Sequence, residues 1–147
     1  MGLEIPMEHP SFCLKQAYLA MRKALDEALQ PYGLTTAQFD VLQYLWVSDG
    51  MEHRELQERL GVTSPTLTNI IDSMVDRNLV ERRISPEDAR VKLLWLTPQA
   101  QQLHSQLGSA GEEFAARMLQ GFSRSEAGLF IEWLKKVTRN MGGTDRR

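Results

Sequence analysis

The sequence has few of the residues that build disulfides and metal sites: one cysteine and three histidines among 147 residues. The single cysteine, Cys13, excludes an intramolecular disulfide. The histidines His9, His53 and His104 fall on separate predicted elements, and none has a Cys or His partner at helical spacing. The sequence therefore predicts no metal site, and no motif in it requires a cofactor.

Long apolar runs and targeting signals are also absent. No segment approaches the run of about 18 apolar residues that spans a membrane. Residues 1–6 have neither the basic nor the apolar region of a secretory signal. The chain also lacks a glycine-rich phosphate loop, a nucleophile elbow and a carboxylate pair with a reason to be desolvated. These absences predict a cytoplasmic protein that has no membrane partner and is not an enzyme.

An excess of positive charge is missing as well. The chain has 17 Lys and Arg against 19 Asp and Glu, a formal net charge of −2. It is therefore not a polycation that binds nucleic acid through bulk charge, and any nucleic-acid surface must be local. Its length, its hydrophobic fraction of 42% and its charged fraction of 24% are typical of one compact globular domain.

The hydrophobic pattern predicts a mainly α-helical chain with a small β-hairpin. Capping boxes at Thr35–Gln38 and Ser123–Glu126 each precede an apolar stripe at helical spacing. Two runs rich in Val, Ile, Leu and Trp predict strands over residues 79–84 and 91–96, with a projecting tip between them. The predicted helices cover residues 14–32, 35–48, 53–60, 64–78, 97–121 and 123–141. This is the element order of a winged helix-turn-helix with flanking helices.

The fourth predicted helix has one apolar and one polar face. Its N-terminus is predicted at Ser64 as N-cap, with Pro65 in the first turn. Asn69 points away from the apolar stripe, and an asparagine can pair bidentately with adenine in the DNA major groove. Asp72 and Asp76 oppose deep insertion, and a solvated amphipathic helix that reads nothing would show the same spacing. The predicted stripe consists of Leu67, Ile70, Ile71, Met74 and Val75.

The predicted hairpin concentrates positive charge, although Glu81, Glu87 and Asp88 dilute it. Arg82, Arg83, Arg90 and Lys92 lie within eleven residues of one another. Asp88, two residues before Arg90, can orient its guanidinium by a bidentate hydrogen bond. An arginine held in this way can enter a narrow minor groove. The alternative is an ordinary surface ion pair, which contributes about 0–1 kcal/mol to stability.

Together these segments resemble the MarR family (multiple-antibiotic-resistance regulators) over about residues 12–140. Each motif is weak alone, whereas their collinear order is specific. The resemblance implies a transcriptional regulator, most often a repressor, that binds double-stranded DNA. The matching segments are Leu34-Thr35-x-x-Gln38-Phe39-x-Val41-Leu42, Glu55-Leu56-x-x-Arg59-Leu60-Gly61-Val62, Thr66-Leu67-Thr68-x-x-Ile71-Asp72, Leu79-Val80-Glu81-Arg82-Arg83, and Ser85-Pro86-Glu87-Asp88-x-Arg90 followed by Leu96-Thr97.

The resemblance also implies roles for individual residues. Arg90 matches the wing arginine that enters the minor groove, and Asp88 matches the acidic residue that orients it. Arg82 matches an arginine that braces the wing, and Arg83 is a further candidate for DNA contact. The recognition-helix positions that meet bases and phosphates are Ser64, Pro65, Thr66, Thr68 and Asn69.

Members of this family act as homodimers, which implies a division of labour along the chain. Residues 34–96 would form the winged helix-turn-helix, and residues 1–33 and 97–147 the dimerisation region. A two-fold dimer implies a pseudo-palindromic operator. Family members often lose DNA affinity when a small aromatic ligand binds at the junction of these parts. The candidate pocket residues are Phe12, Tyr18, Met21, Tyr44, Trp46 and Phe114, although an aromatic or methionine side chain at any one of these positions is more often simply part of the core.

Two alternatives remain open from the sequence. One branch of the family senses hydroperoxides through a cysteine, but Cys13 lies a few residues before that position and lacks the matching tyrosines, which favours a small semi-buried residue. The second alternative is a winged-helix module that binds protein and no longer reads DNA. Residues 52–96 favour it, because they hold seven Lys and Arg against eight Asp and Glu.

Overall fold

A computed structural model describes residues 9–144 of the chain. Within these residues, six α-helices and three short strands follow one another, with a single 3-10 turn at Gln30–Tyr32. The prediction of a mainly helical winged helix-turn-helix is confirmed. Residues 1–8 and 145–147 lie outside the described residues. They include residues 1–6, for which the sequence predicts no secretory signal, and both ends of the predicted dimerisation region. The elements are α1 (Pro10–Leu29), α2 (Thr36–Val47), β1 (Met51–Glu52), α3 (His53–Leu60), α4 (Ser64–Asp76), β2 (Val80–Ile84), β3 (Lys92–Leu96), α5 (Pro98–Met118) and α6 (Arg124–Asn140).

Hydroxyl side chains fix the starts of four helices. Thr35 and Ser123 form the predicted capping boxes of α2 and α6, and Thr97 caps α5. The N-cap of α4 is Thr63, whose side chain accepts a hydrogen bond from the backbone N–H of Thr66. The prediction of Ser64 as N-cap was therefore wrong by one residue: Thr63 has the extended backbone of a cap, and Ser64 is the first helical residue.

The three strands form an antiparallel sheet in the order β1-β3-β2. In the hairpin Val80 pairs with Leu96 and Ile84 with Lys92, while Met51 of β1 pairs with Leu94 on the other side of β3. The sequence did not predict β1. Gly50 leads into it with φ of 75°, and a Cβ there would lie 2.5 Å from the Trp95 ring. Only glycine allows the chain to turn so close to the indole.

The core lies among α2, α3, α4 and the sheet. The buried side chains of α4 are Leu67, Ile71 and Met74, as predicted, and Ile70 packs partly against them. Val75 is 38% exposed, and its inclusion in the buried stripe was wrong. It borders a surface hollow next to β2, so the sheet covers only part of it. The largest fully buried side chains outside α4 are Leu42, Leu45, Leu56, Leu79 and Leu94.

Gln38 of α2 fixes the position of α4. Its side chain is buried, and its Nε2 donates to Ser73 Oγ at 3.1 Å while its Oε1 accepts from the Thr35 N–H at 3.1 Å. Arg77 also donates to this Oε1, at 3.2 Å, and to the carbonyl oxygen of Gly33. Gln38, which completes the capping box of α2, thus holds α4 through the side chains of Ser73 and Arg77.

The described ends of the chain are much less buried than its centre. None of the α6 side chains is buried, and α1 buries only Leu29. Cys13 on α1 is exposed, so the expectation of a semi-buried cysteine was wrong. The side chain is exposed because the neighbouring turns of α1 do not pack against the core. None of the helices described within residues 9–144 has the length and apolar character to cross a membrane.

Candidate nucleic-acid interface

The polar face of α4 is open to solvent over its first two turns. The buried residues Leu67 and Ile71 hold the opposite face against the core. Thr63 donates its hydroxyl hydrogen to Thr66 Oγ1 at 2.8 Å, which fixes the Thr66 side chain beside the cap. All five predicted recognition residues are exposed on this helix: Ser64, Pro65, Thr66, Thr68 and Asn69.

The hairpin tip presents Arg90 on a fixed support. Its Nε and Nη2 donate to the two carboxylate oxygens of Asp88, each at 3.1 Å, and its backbone N–H donates to Asp88 Oδ1 at 3.0 Å. These hydrogen bonds hold the pKa of Asp88 below its ordinary value. The Arg90 side chain is nevertheless 90% exposed. Asp88 thus orients the guanidinium and leaves most of it available to a partner.

Arg82 and Arg83 point to opposite faces of the sheet. Arg82 donates to the Asp72 carboxylate and, at 3.4 Å, to the carbonyl oxygen of Thr68, so it joins the hairpin to α4. Arg83 pairs with Glu81 at 2.9 Å, and its guanidinium carbon lies 5.1 Å from the centre of the Trp95 ring. The predicted site residue Arg83 therefore lies on the face away from α4.

A groove of about 650 Å³ separates the start of α3, the face of α4 and the hairpin. It brings together four predicted residues, Ser64, Thr68, Arg82 and Arg90. Pro65, Thr66, Asn69, Arg83 and Asp88 do not line it. It also contains residues absent from the predicted site: Glu52, His53, Arg54, Asp72, Val91 and Lys92. Side chains alternate between the two faces of a strand. This alternation could have indicated from the sequence that Lys92 lies on the same face of the hairpin as Arg82.

His53 is a partly buried titratable residue of this groove. Burial lowers the pKa of its imidazole, and the positive charges of Arg82 and Lys92 lower it further. The groove therefore favours the neutral form of His53 when it holds no anion.

A second cavity, of about 840 Å³, lies among α2, α3 and α5. The predicted pocket residues Tyr44 and Trp46 line it, together with His104, whose ring stacks on Trp46 at 4.7 Å and 17°. Trp46 Nε1 donates to the Ala100 carbonyl oxygen at 3.1 Å and ties α2 to α5. The four other predicted pocket residues do not line this cavity: Phe12, Tyr18, Met21 and Phe114.

Asp40 is one of the polar residues that line the second cavity. Burial raises the pKa of this carboxyl, although Arg22 of α1 opposes the shift by donating to it at 3.0 and 3.2 Å. Arg22 also lies 5.9 Å from the centre of the Tyr18 ring. Tyr18 and Phe12 are 52% and 58% exposed on α1, so neither is enclosed by this part of the chain.

An exposed polar helix, an arginine-tipped hairpin and the groove between them define a winged helix-turn-helix protein of the DNA-binding class. The sequence model of the MarR family matches residues 34–92. The uncharacterized HTH-type transcriptional regulator YwoH of Bacillus subtilis is 30% identical over 109 residues, which cover 74% of this chain and 79% of YwoH. YsmB of the same organism, described in the same words, is 28% identical over 92% of this chain and 95% of its own length.

Solved structures agree with this relationship. MarR from E. coli in its apo form is 26% identical, with a TM-score of 0.77 over 90% of this chain and 98% of that one. A mutant MarR from E. coli complexed with operator DNA is 27% identical, with a TM-score of 0.76 over 85% of this chain and 90% of that one. The chain belongs to the MarR family. It is a DNA-binding transcriptional regulator and not an enzyme.

Proposed function

We propose that the chain acts as a cytoplasmic homodimeric repressor that recognises a pseudo-palindromic operator and is released by a small aromatic ligand. The observation that carries DNA reading is the pairing of Arg90 with Asp88 beside the exposed start of α4. In this arrangement α4 enters the major groove, where Asn69 and Thr68 can contact base edges. Arg90 reaches the adjacent minor groove. Arg82 holds the hairpin against α4 so that both elements bind in one register.

The unburied helices support the homodimer. Trp133 of α6 is 59% exposed, and no residue of this helix is buried. An amphipathic helix must cover its apolar face to be stable, and residues 9–123 do not bury this one. A second copy related by a two-fold axis would cover it and would place two recognition helices on successive turns of DNA. The exposed large apolar residues of α1, of the C-terminal end of α5, and of α6 with its C-cap are Phe12, Leu14, Tyr18, Leu19, Met118, Leu129, Ile131, Trp133, Leu134, Val137 and Met141.

The cavity between α2 and α5 supports regulation by a small ligand. Its stacked Trp46 and His104 rings offer flat surfaces for an aromatic compound, and Tyr44 lies beside them. Because α2 also holds α4 through Gln38, a ligand that moves α2 would change the spacing of the two recognition helices. A ligand that prefers the altered spacing shifts the dimer away from the DNA-bound state.

The decisive experiment is selection of duplexes from a random pool, followed by fluorescence anisotropy of an enriched duplex over a range of salt concentrations. A two-fold motif, with log K falling steeply against log salt, would establish base reading and phosphate neutralisation. Aromatic compounds would then be screened for loss of the anisotropy signal. A folded dimer that enriches no sequence would refute operator recognition and favour the protein-binding alternative. Denaturation, removal of small molecules and refolding would exclude a dimer locked by a retained ligand.

A further inference from the structure

His53 lines the groove but takes no part in the DNA contacts proposed above for α4 and Arg90. It is the first residue of α3, and it lines the groove between α4 and the hairpin. Its ring is partly exposed, and within residues 9–144 it forms no hydrogen bond with another side chain or with the backbone. The imidazole therefore retains its hydrogen-bonding capacity for a bound partner.

The charges around His53 come from every side of the groove. Arg82 of β2 and Lys92 of β3 act on the imidazole directly and disfavour its positive charge. Three further cationic and acidic neighbours also line the groove: Arg54 on α3, Arg90 at the hairpin tip, and Asp72 on α4, which already pairs with Arg82. Glu52, the N-cap residue of α3, is the remaining acidic group.

These charges make the groove suitable for a DNA phosphate. A phosphate between the start of α3 and the hairpin would offset the positive charges of Arg82 and Lys92, which disfavour the imidazolium ion. It would also accept a charge-assisted hydrogen bond from the ring. We propose that His53 contacts a DNA phosphate in its protonated form, so that operator binding is accompanied by uptake of one proton per subunit. The proposal rests on DNA binding through this groove.

Proton uptake makes the affinity depend on pH in a defined direction. Burial and the two cations lower the pKa of free His53 below its ordinary 6.5, while a bound phosphate raises it. Affinity then increases as the pH falls through the interval between the bound and the free pKa. The steepest part of the response approaches a tenfold change in affinity per pH unit for each histidine.

The test measures binding of an enriched operator duplex by anisotropy, from about pH 8 to about pH 5.5 at constant ionic strength. The parent protein should bind more tightly as the pH falls, with a steeper salt dependence at low pH by about 0.9 in slope per protonated histidine. His53→Gln should remove both responses. His53→Arg, which carries a fixed charge, should bind more tightly than the parent at pH 8 and respond little to pH. Thermal unfolding of each variant would verify that it is folded.

A matched control uses a histidine outside both cavities. His9 caps α1 and does not line the groove. His9→Asn, which keeps a capping side chain, should retain the pH response of the parent. The proposal fails if the response survives in His53→Gln, if it is lost equally in a control, or if the parent has none. Failure to enrich any duplex would instead refute operator recognition itself.

Discussion

Replacing Arg90 with alanine should lower the affinity for operator DNA without lowering the free energy of unfolding. The Arg90 side chain is 90% exposed, and its guanidinium donates its hydrogen bonds to Asp88 at the tip of the hairpin. Its removal leaves no cavity and no buried polar group unpaired, so the urea midpoint should stay at the parent value. An arginine that reads a DNA groove contributes about 1–3 kcal/mol to binding. This corresponds to a loss of about 5- to 150-fold in affinity per subunit.

The same variant should change the salt dependence of operator binding. Each arginine that neutralises a phosphate contributes about 0.9 to the slope of log K against log salt, so a homodimer should lose nearly 2. Asp88→Asn should fall between the parent and Arg90→Ala, since the guanidinium remains but loses its charged support. Arg146→Ala, outside the winged helix-turn-helix, is the control and should bind like the parent. Unchanged affinity in Arg90→Ala, or a lowered urea midpoint, would refute the assignment of the wing.

Three other changes test the core, the polar support of α4 and the dimer. Leu67→Ala removes a fully buried side chain and should lower the free energy of unfolding, measured by urea titration, by about 2–5 kcal/mol. A loss below about 1 kcal/mol would contradict the packing of α4. Gln38→Leu leaves the Thr35 N–H and Ser73 without their hydrogen-bond partner and should lower the free energy of unfolding by about 1–3 kcal/mol in the same assay. An unchanged urea midpoint would count against the role of Gln38 in holding α4. Trp133→Glu should shift sedimentation from dimer to monomer at micromolar concentration, while a dimer as tight as the parent would place the interface elsewhere.

Most of the helical fold could be predicted because its signals are local. A capping box fits within four residues, and the stripe that faces the core repeats every three or four. The errors arose where two local signals competed or where a partner lay far along the chain. Thr63 and Ser64 are adjacent hydroxyl residues, and either can cap a helix. The strand β1 is only two residues long, and it exists because it pairs with β3, more than forty residues later.

In the candidate site as well, contacts between residues close in sequence were predictable and contacts between distant elements were not. The Arg90–Asp88 pair spans two residues and was predictable, whereas the Arg82–Asp72 pair joins different elements and was not. The inclusion of His53 in the groove depends on how α3 packs beside the hairpin, which no local spacing encodes. The opposite faces of Arg82 and Arg83 follow from the alternation of a strand. That signal was present in the sequence and separates a residue near α4 from one that packs on Trp95.

The slightly acidic composition of residues 52–96 does not argue against DNA binding once the positions of the acids are known. Asp72, which opposed insertion of α4 when it was considered alone, is paired with Arg82. Asp88 directs Arg90, and Glu81 pairs with Arg83 on the other face of the sheet. Screening limits surface charges to a range of about 10 Å, so a phosphate in the groove responds to the nearest groups more than to the net charge. Three of the eight acidic residues thus pair with arginines of the hairpin, and the groove can attract DNA within a chain of net negative charge.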